Sequence, residues 1–225
     1  MRSFTPCTRL RFLSMITGVL LTFGSATAQT AETPRTVVVF GDSITAGNAL
    51  PAADRDKLWL TVIERGSNGA LKMVNEGKGG RPTASRPEFD AMLTRQPHAN
   101  RLVIALGTND SRDITEKCVP LAVANIRYMI EGARKTYGAK LPILLVGPPN
   151  INKAALGPTK PIANEREGKV RELGDAFAQL AKETGCEFVS LFGVVPDSSL
   201  IKDGVHPDAA GNAAIAGVIK AKLLP

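Results

Sequence analysis

Five short apolar runs constrain this chain more than any other feature. They lie at 36–40, 71–75, 101–106, 143–146 and 187–191. The run Thr36-Val37-Val38-Val39-Phe40 and the run 101–106 (RLVIAL) are apolar almost throughout and end at Gly41 and Gly107. A strand with no polar alternation has both faces covered, as in a parallel sheet. Segments with helical apolar spacing lie between the runs, at 57–65, 88–95, 119–137, 163–184 and 209–224, with glycine stops at Gly66, Gly138 and Gly185. Strand and helix alternate five times. That predicts an α/β fold: a five-stranded parallel sheet, helices on both faces, right-handed connections and strand order 2-1-3-4-5. Ligands of such sheets sit beyond the carboxyl ends of the strands.

The 225 residues suit one such domain. The first 28 stand apart. Arg2, Arg9 and Arg11 are basic, 12–26 is mostly apolar, and Ala26-Thr27-Ala28 supplies the small residues of a cleavage site. Residues 1–28 are therefore expected to be a signal peptide cut after Ala28, leaving a domain at 29–225 that is secreted or periplasmic, with no stable membrane insertion. Losing three Arg and no acid takes the formal charge from +7 to +4. That excess is mild and spread out, so nucleic acid is not an expected partner. Export invites a disulfide between Cys118 and Cys186. Topology argues against it: Cys118 follows strand three at the carboxyl edge, and Cys186 precedes strand five at the amino edge. Those edges are roughly 17 Å apart, whereas bridged Cα atoms lie within about 7 Å. No Cys or His cluster has metal-ligand spacing, so no metal or other cofactor is expected.

The polar residues worth noticing collect at strand ends. Strand one runs into Gly41-Asp42-Ser43, strand two into Asn75-Glu76-Gly77-Lys78-Gly79-Gly80, and strand three into Gly107-Thr108-Asn109-Asp110. The loop after strand five carries Asp203-Gly204-Val205-His206-Pro207. Ser43 is a candidate nucleophile at the first turn of a helix, whose N-terminus favours developing negative charge; it could equally be a plain N-cap. Of the two histidines, His98 lies at the amino edge and His206 at the carboxyl edge. Asp203 can accept from the His206 Nδ1–H and turn Nε2 toward a serine, although Asp-Gly is also ordinary turn chemistry. The Ser43 N–H, the Gly80 N–H and the Asn109 amide are candidate donors to an oxyanion. The glycines could instead form a flexible turn or a phosphate nest, and Asn109-Asp110 could cap a helix.

Taken together and in order, these four segments resemble the blocks of the SGNH (GDSL-type) hydrolase superfamily. Phe40–Ile44 resembles the first block, 75–80 the second, 107–110 the third and 203–207 the last. The resemblance implies a three-layer α/β/α fold with the flavodoxin-like strand order, a Ser43–His206–Asp203 triad, an oxyanion hole of Ser43, Gly80 and Asn109, and no metal. The segment 77–83 with the short helix after it is most similar to the arylesterase and carbohydrate-esterase branches.

The implied activity is hydrolysis of small-molecule or carbohydrate esters through an acyl-Ser43 intermediate. Two rivals are a lysophospholipase or thioesterase of the same superfamily and a non-catalytic carbohydrate-binding domain on this fold. Short acyl groups, acetyl above all, are expected. No large insertion is left to form an apolar lid, and the loops 77–87 (Lys78, Arg81, Arg86) and 148–161 (Asn150, Asn152, Lys153, Thr159, Lys160) read as polar and basic walls. Such walls suit a hydroxylated or acidic alcohol, because each buried CH₂ needs apolar surface to yield its roughly 0.8 kcal/mol. Trp59 is expected in the core.

Overall fold

Each of the five apolar runs becomes a strand. In the computed structural model, which describes Met1, Ser3 and residues 33–224, they are β1 (Arg35–Gly41), β2 (Leu71–Gly77), β3 (Arg101–Ala105), β4 (Ile143–Gly147) and β5 (Glu187–Ser190). All neighbours pair in parallel, in the order β2-β1-β3-β4-β5. The expected order and class are what the chain adopts. The signal-peptide reading of 1–28 rests on residues outside the described set.

The burial of the strands explains their composition. β4 is buried at all five positions, and β1 from Val37 onward. The edge strands β2 and β5 are only partly covered, and there the apolar runs are interrupted by Lys72, Asn75 and Glu187. Alternate residues of a strand face opposite sides, so each central strand supplies two cores. Val38, Phe40, Leu102, Ile104, Ile143 and Leu145 pack against α3 (Arg86–Arg95), α4 (Cys118–Tyr137) and α5 (Ala163–Thr184). Val37, Val39, Val103, Leu144 and Val146 pack against α2 (Trp59–Arg65) and α6 (Ala209–Leu223). Trp59 lies in this second core at 1 % exposure.

Helix limits follow the sequence closely, with one informative exception. The segment 57–65 was expected as one helix. Lys57 instead ends a 3₁₀ turn, Ala52–Lys57, and α2 begins only at Trp59, because Leu58 is extended (φ −57°, ψ 135°) and tucks its side chain into the core. Cys118 opens α4 and Cys186 precedes β5, and both are free thiols.

The short helix α1 (Ser43–Ala46) depends on two glycines. Gly41 and Gly77 are directly opposite in the β1–β2 register. A Cβ on Gly41 would lie 2.0 Å from Thr45 Oγ1, and one on Gly77 would lie 2.3 Å from the Ala46 backbone nitrogen. The pair leaves the hollow into which α1 settles, and the Asn75 side-chain amide holds it there through the Thr45 carbonyl (2.9 Å). Gly77→Ala therefore pushes backbone against backbone and should cost about 1–3 kcal/mol or more. Gly79→Ala, where a Cβ meets nothing within 4 Å, should stay within about 0.5 kcal/mol of wild type. Urea unfolding midpoints of the two variants check the contrast.

Candidate active site

Ser43 is freed from capping by its neighbour. Asp42 is the N-cap of α1, and its carboxylate accepts from the Ile44 N–H at 2.9 Å. The Ser43 hydroxyl is left to point at the loop after β5. The helix is a single turn of four residues, so the dipole contribution expected there is small.

The Asp203–His206 loop is held from three sides. One Asp203 oxygen accepts from the backbone N–H groups of Val205 (3.0 Å) and His206 (2.9 Å). The other lies 2.7 Å from His206 Nδ1. Gly204 sits at φ 77° against the loop 148–161, where a Cβ would come 2.5 Å from the Asn152 carbonyl oxygen. Buried Asn212 of α6 donates to the Pro207 and Asp208 carbonyls and accepts from the Trp59 N–H. His206 Nε2 thereby comes 2.8 Å from Ser43 Oγ. Partial burial opposes the charge of Asp203, but the His206 backbone N–H, its imidazole and the Val205 N–H outweigh it and hold the carboxyl below its usual range. An ionised acceptor at Nδ1 fixes the tautomer in which Nε2 can take a proton.

The glycine loop is organised by a residue the sequence presented as a solvent-facing charge. Arg81 was expected in a basic wall, yet it is 6 % exposed. Its guanidinium stacks 4.0 Å from the Phe40 ring centroid, pairs with Glu88 at 3.0 Å and donates to the carbonyls of Gly41 (2.8 Å) and Glu76. It thus ties the end of β1 to the loop after β2. Gly80 precedes it in the left-handed region at φ 74°. The Asn109 amide donates to the Arg81 carbonyl at 3.1 Å. Asp110 caps no helix; it accepts from the backbone and hydroxyl of Thr83. Asn109 and Gly80 are thus linked through Arg81. Ser43, His206 and Asp203 form a second connected group, with no direct hydrogen bond between the two.

The other expected wall residues are also occupied. Lys78 pairs with Glu88, and Arg86 bonds Asn125 and stacks on Tyr128. Lys153 pairs with Glu167, and Asn150 is spent on Val195 and Gly193. Among the described residues no group of three or more His, Cys, Asp or Glu could hold a metal ion, and no helix is long and apolar enough to cross a membrane.

Asp42 makes stability depend on pH. Burial raises its carboxyl from 3.8 to about 6, against the opposing Ile44 N–H and Thr108 hydroxyl. A carboxyl whose folded pKa exceeds its unfolded one stabilises the fold fully below the unfolded value, and that contribution is lost as pH rises through the folded value. From about pH 4 to above pH 6 this group should withdraw on the order of 3 kcal/mol. Asp42→Asn keeps an acceptor for the Ile44 N–H and removes the titration. Urea unfolding across that pH window should show a flatter profile for the variant than for wild type.

Comparison with known proteins identifies the family and fold. The GDSL-like lipase/acylhydrolase family matches residues 39–214. A carbohydrate acetylesterase family member from Sinorhizobium meliloti superposes with a TM-score of 0.70 at 22% identity, over 84% of this chain and 97% of that one. A protein from Agrobacterium tumefaciens assigned as an arylesterase gives 0.68 at 28% identity, over 84% and 98%. The aryl esterase of M. smegmatis gives 0.67 at 22%, over 84% and 98%. The Bacillus subtilis protein named uncharacterized lipoprotein YqeF is 35% identical over 123 residues, and the chain spans about half the length of that relative (49%; 51% of this chain). The family match covers most of the chain and sets aside the non-catalytic reading: the protein belongs to the GDSL-like lipase/acylhydrolase family and is a serine hydrolase of carboxylic esters.

Proposed function

We propose that the protein is an exported esterase that removes short acyl groups, acetyl above all, from hydroxylated small molecules or carbohydrates, with Ser43, His206 and Asp203 as its triad. The observation that carries this reading is the chain of contacts Ser43 Oγ–His206 Nε2 (2.8 Å) and His206 Nδ1–Asp203 (2.7 Å). His206 takes the Ser43 proton as Oγ bonds to the ester carbonyl carbon. The oxyanion is met by the Ser43 N–H, the Gly80 N–H and the Asn109 amide, one of whose two N–H groups is engaged by Arg81. The C–O bond to the alcohol breaks, and His206 returns the proton to that oxygen. Water then adds to the acyl-Ser43, gives its proton to His206, and the acid leaves as Ser43 is reprotonated.

The short-acyl preference rests on space. The recess lined by Ser43 and His206, with Ile44 and Leu50 as its large apolar walls, measures about 10 Å³. That recess is too small to bury an alkyl chain, since a single water already takes on the order of 10–15 Å³. Trp59 and Val195 are buried in the core and give no further apolar wall. Export rests on the leader-like residues 1–28. A lysophospholipase or thioesterase is the second reading, and one observation favours it: Leu121, 59 % exposed, lines a cleft of about 600 Å³ beside Asn109.

Ser43→Ala and His206→Ala should each lower kcat on p-nitrophenyl acetate by at least about a thousandfold while leaving the circular dichroism spectrum and thermal midpoint near wild type. Turnover within a few-fold of wild type in either variant would remove the triad assignment.

Along a p-nitrophenyl series from acetate to decanoate, kcat/KM should be highest for acetate and fall with length. A steady rise toward the long chains would move the lysophospholipase reading ahead.

A further inference from the structure

Among the described residues, two arginines border His206 without a carboxylate partner of their own. A cleft of about 300 Å³ is lined by Arg112, Thr159, Arg166, Asp203, Val205 and His206, among others. Arg166 is 1 % exposed. Buried charges are normally paired, yet its guanidinium bonds only neutral oxygens: Ser111 Oγ (3.1 Å), Thr159 Oγ1 (2.7 Å) and the Thr108 carbonyl (3.4 Å). A guanidinium has five N–H donors, so these three bonds leave two unspent. Burial and the nearby Arg112 lower its pKa to about 10, Asp203 opposing, so it remains charged at neutral pH. Arg112 is exposed and forms no ion pair among the described residues.

The two sides of Arg112 differ in sign. The wider cleft toward Asn109 also carries Asp110 and Asp113, which repel an anion. The cleft toward His206 carries two arginines and one acid, Asp203, already bonded to the imidazole. With His206 uncharged in its role as base, that cleft holds one net positive charge, which a single negative charge neutralises. A monoanion with two oxygens in a plane fits a guanidinium fork; a phosphate dianion would overshoot. The side matters too. His206, which delivers its proton to the departing alcohol, lines both this cleft and the recess that carries Ser43, so an alcohol portion leaving Ser43 has this cleft within its reach.

We infer that the cleft between Arg112 and Arg166 binds a carboxylate on the alcohol portion of the ester, so that the substrates are short-chain esters of hydroxy acids or acidic sugars; this rests on the esterase reading above. Arg166, fixed by Ser111 and Thr159, presents preformed donors, and Arg112 closes on the anion from the rim.

The test compares para-acetoxybenzoate with para-acetoxybenzamide, which share the acetyl group and differ in the charge of the departing phenol. In wild type, kcat/KM should favour the acid by about tenfold, less at high salt. In Arg112→Gln the ratio should fall toward one, and Arg112→Lys should restore part of it. Equal use of both esters by wild type, or a ratio that Arg112→Gln does not move, overturns the inference and leaves the esterase reading intact. Calorimetric titration of para-hydroxybenzoate into Ser43→Ala, with and without Arg112→Gln, separates the two ideas. If wild type cleaves neither ester, binding that depends on Arg112 supports the anion site and overturns the esterase reading. No binding of the acid, together with no cleavage of either ester by wild type, overturns both.

Discussion

The in-register pair Gly41–Gly77 is the contact on which the site depends. With no side chain at either position, the one-turn helix after β1 lies directly on the edge of the sheet. Ser43 is its first residue, so the location of the hydroxyl is set by how closely Thr45 and Ala46 approach β2. Thr45 packs on Gly41, Asn75 holds the Thr45 carbonyl, and Asp42 caps the turn. Serine would ordinarily cap such a helix itself. Asp42 in that role leaves the Ser43 oxygen without a backbone partner, and His206 is the group that meets it.

Around this contact, charge is buried in ways that tie loops together. Arg81 lies flat on Phe40 and binds the carbonyls where β1 and β2 end, so the glycine loop and the serine turn share one anchor. Its own carbonyl receives Asn109, which brings the end of β3 into the same network. Arg166 does the same on the opposite side, joining the start of α5 to Thr108, Ser111 and Thr159. One differs from the other in its counter-charge. Arg81 has Glu88, whereas among the described residues Arg166 has only neutral acceptors, and for that reason the second arginine points to a ligand and the first to architecture.

Most of the basic side chains expected as a substrate wall are engaged with other parts of the protein. Lys78, Arg86 and Lys153 spend their charges on Glu88, on Asn125 and Tyr128, and on Glu167. Arg81 turns inward. The positive charge that borders the site comes from Arg112 and Arg166, one in a turn after β3 and one in a helix whose sequence resembles any solvated amphipathic helix. A linear reading counts charges but does not know which acids lie across from them, because pairing partners such as Lys153–Glu167 and Arg81–Glu88 are chosen by packing.

By itself the sequence determined the parallel sheet and its order, since uninterrupted apolar strands alternating with helices have few other ways to cover both faces. It also determined which strand ends carry Ser43, Asn109 and the Asp203–His206 pair, because those residues are adjacent in the chain to strands whose direction is known. Asp203 and His206, three apart in a tight turn, are joined by local geometry and were legible for that reason. Only the tertiary structure decided that Nε2 reaches Ser43, a contact spanning 163 positions, that Asp42 titrates near 6 in a water-poor setting, and that Arg81 is an anchor while Arg166 is an unpaired cation. Those properties belong to burial and to partners distant in the chain, and neither is written in the spacing of residues along it.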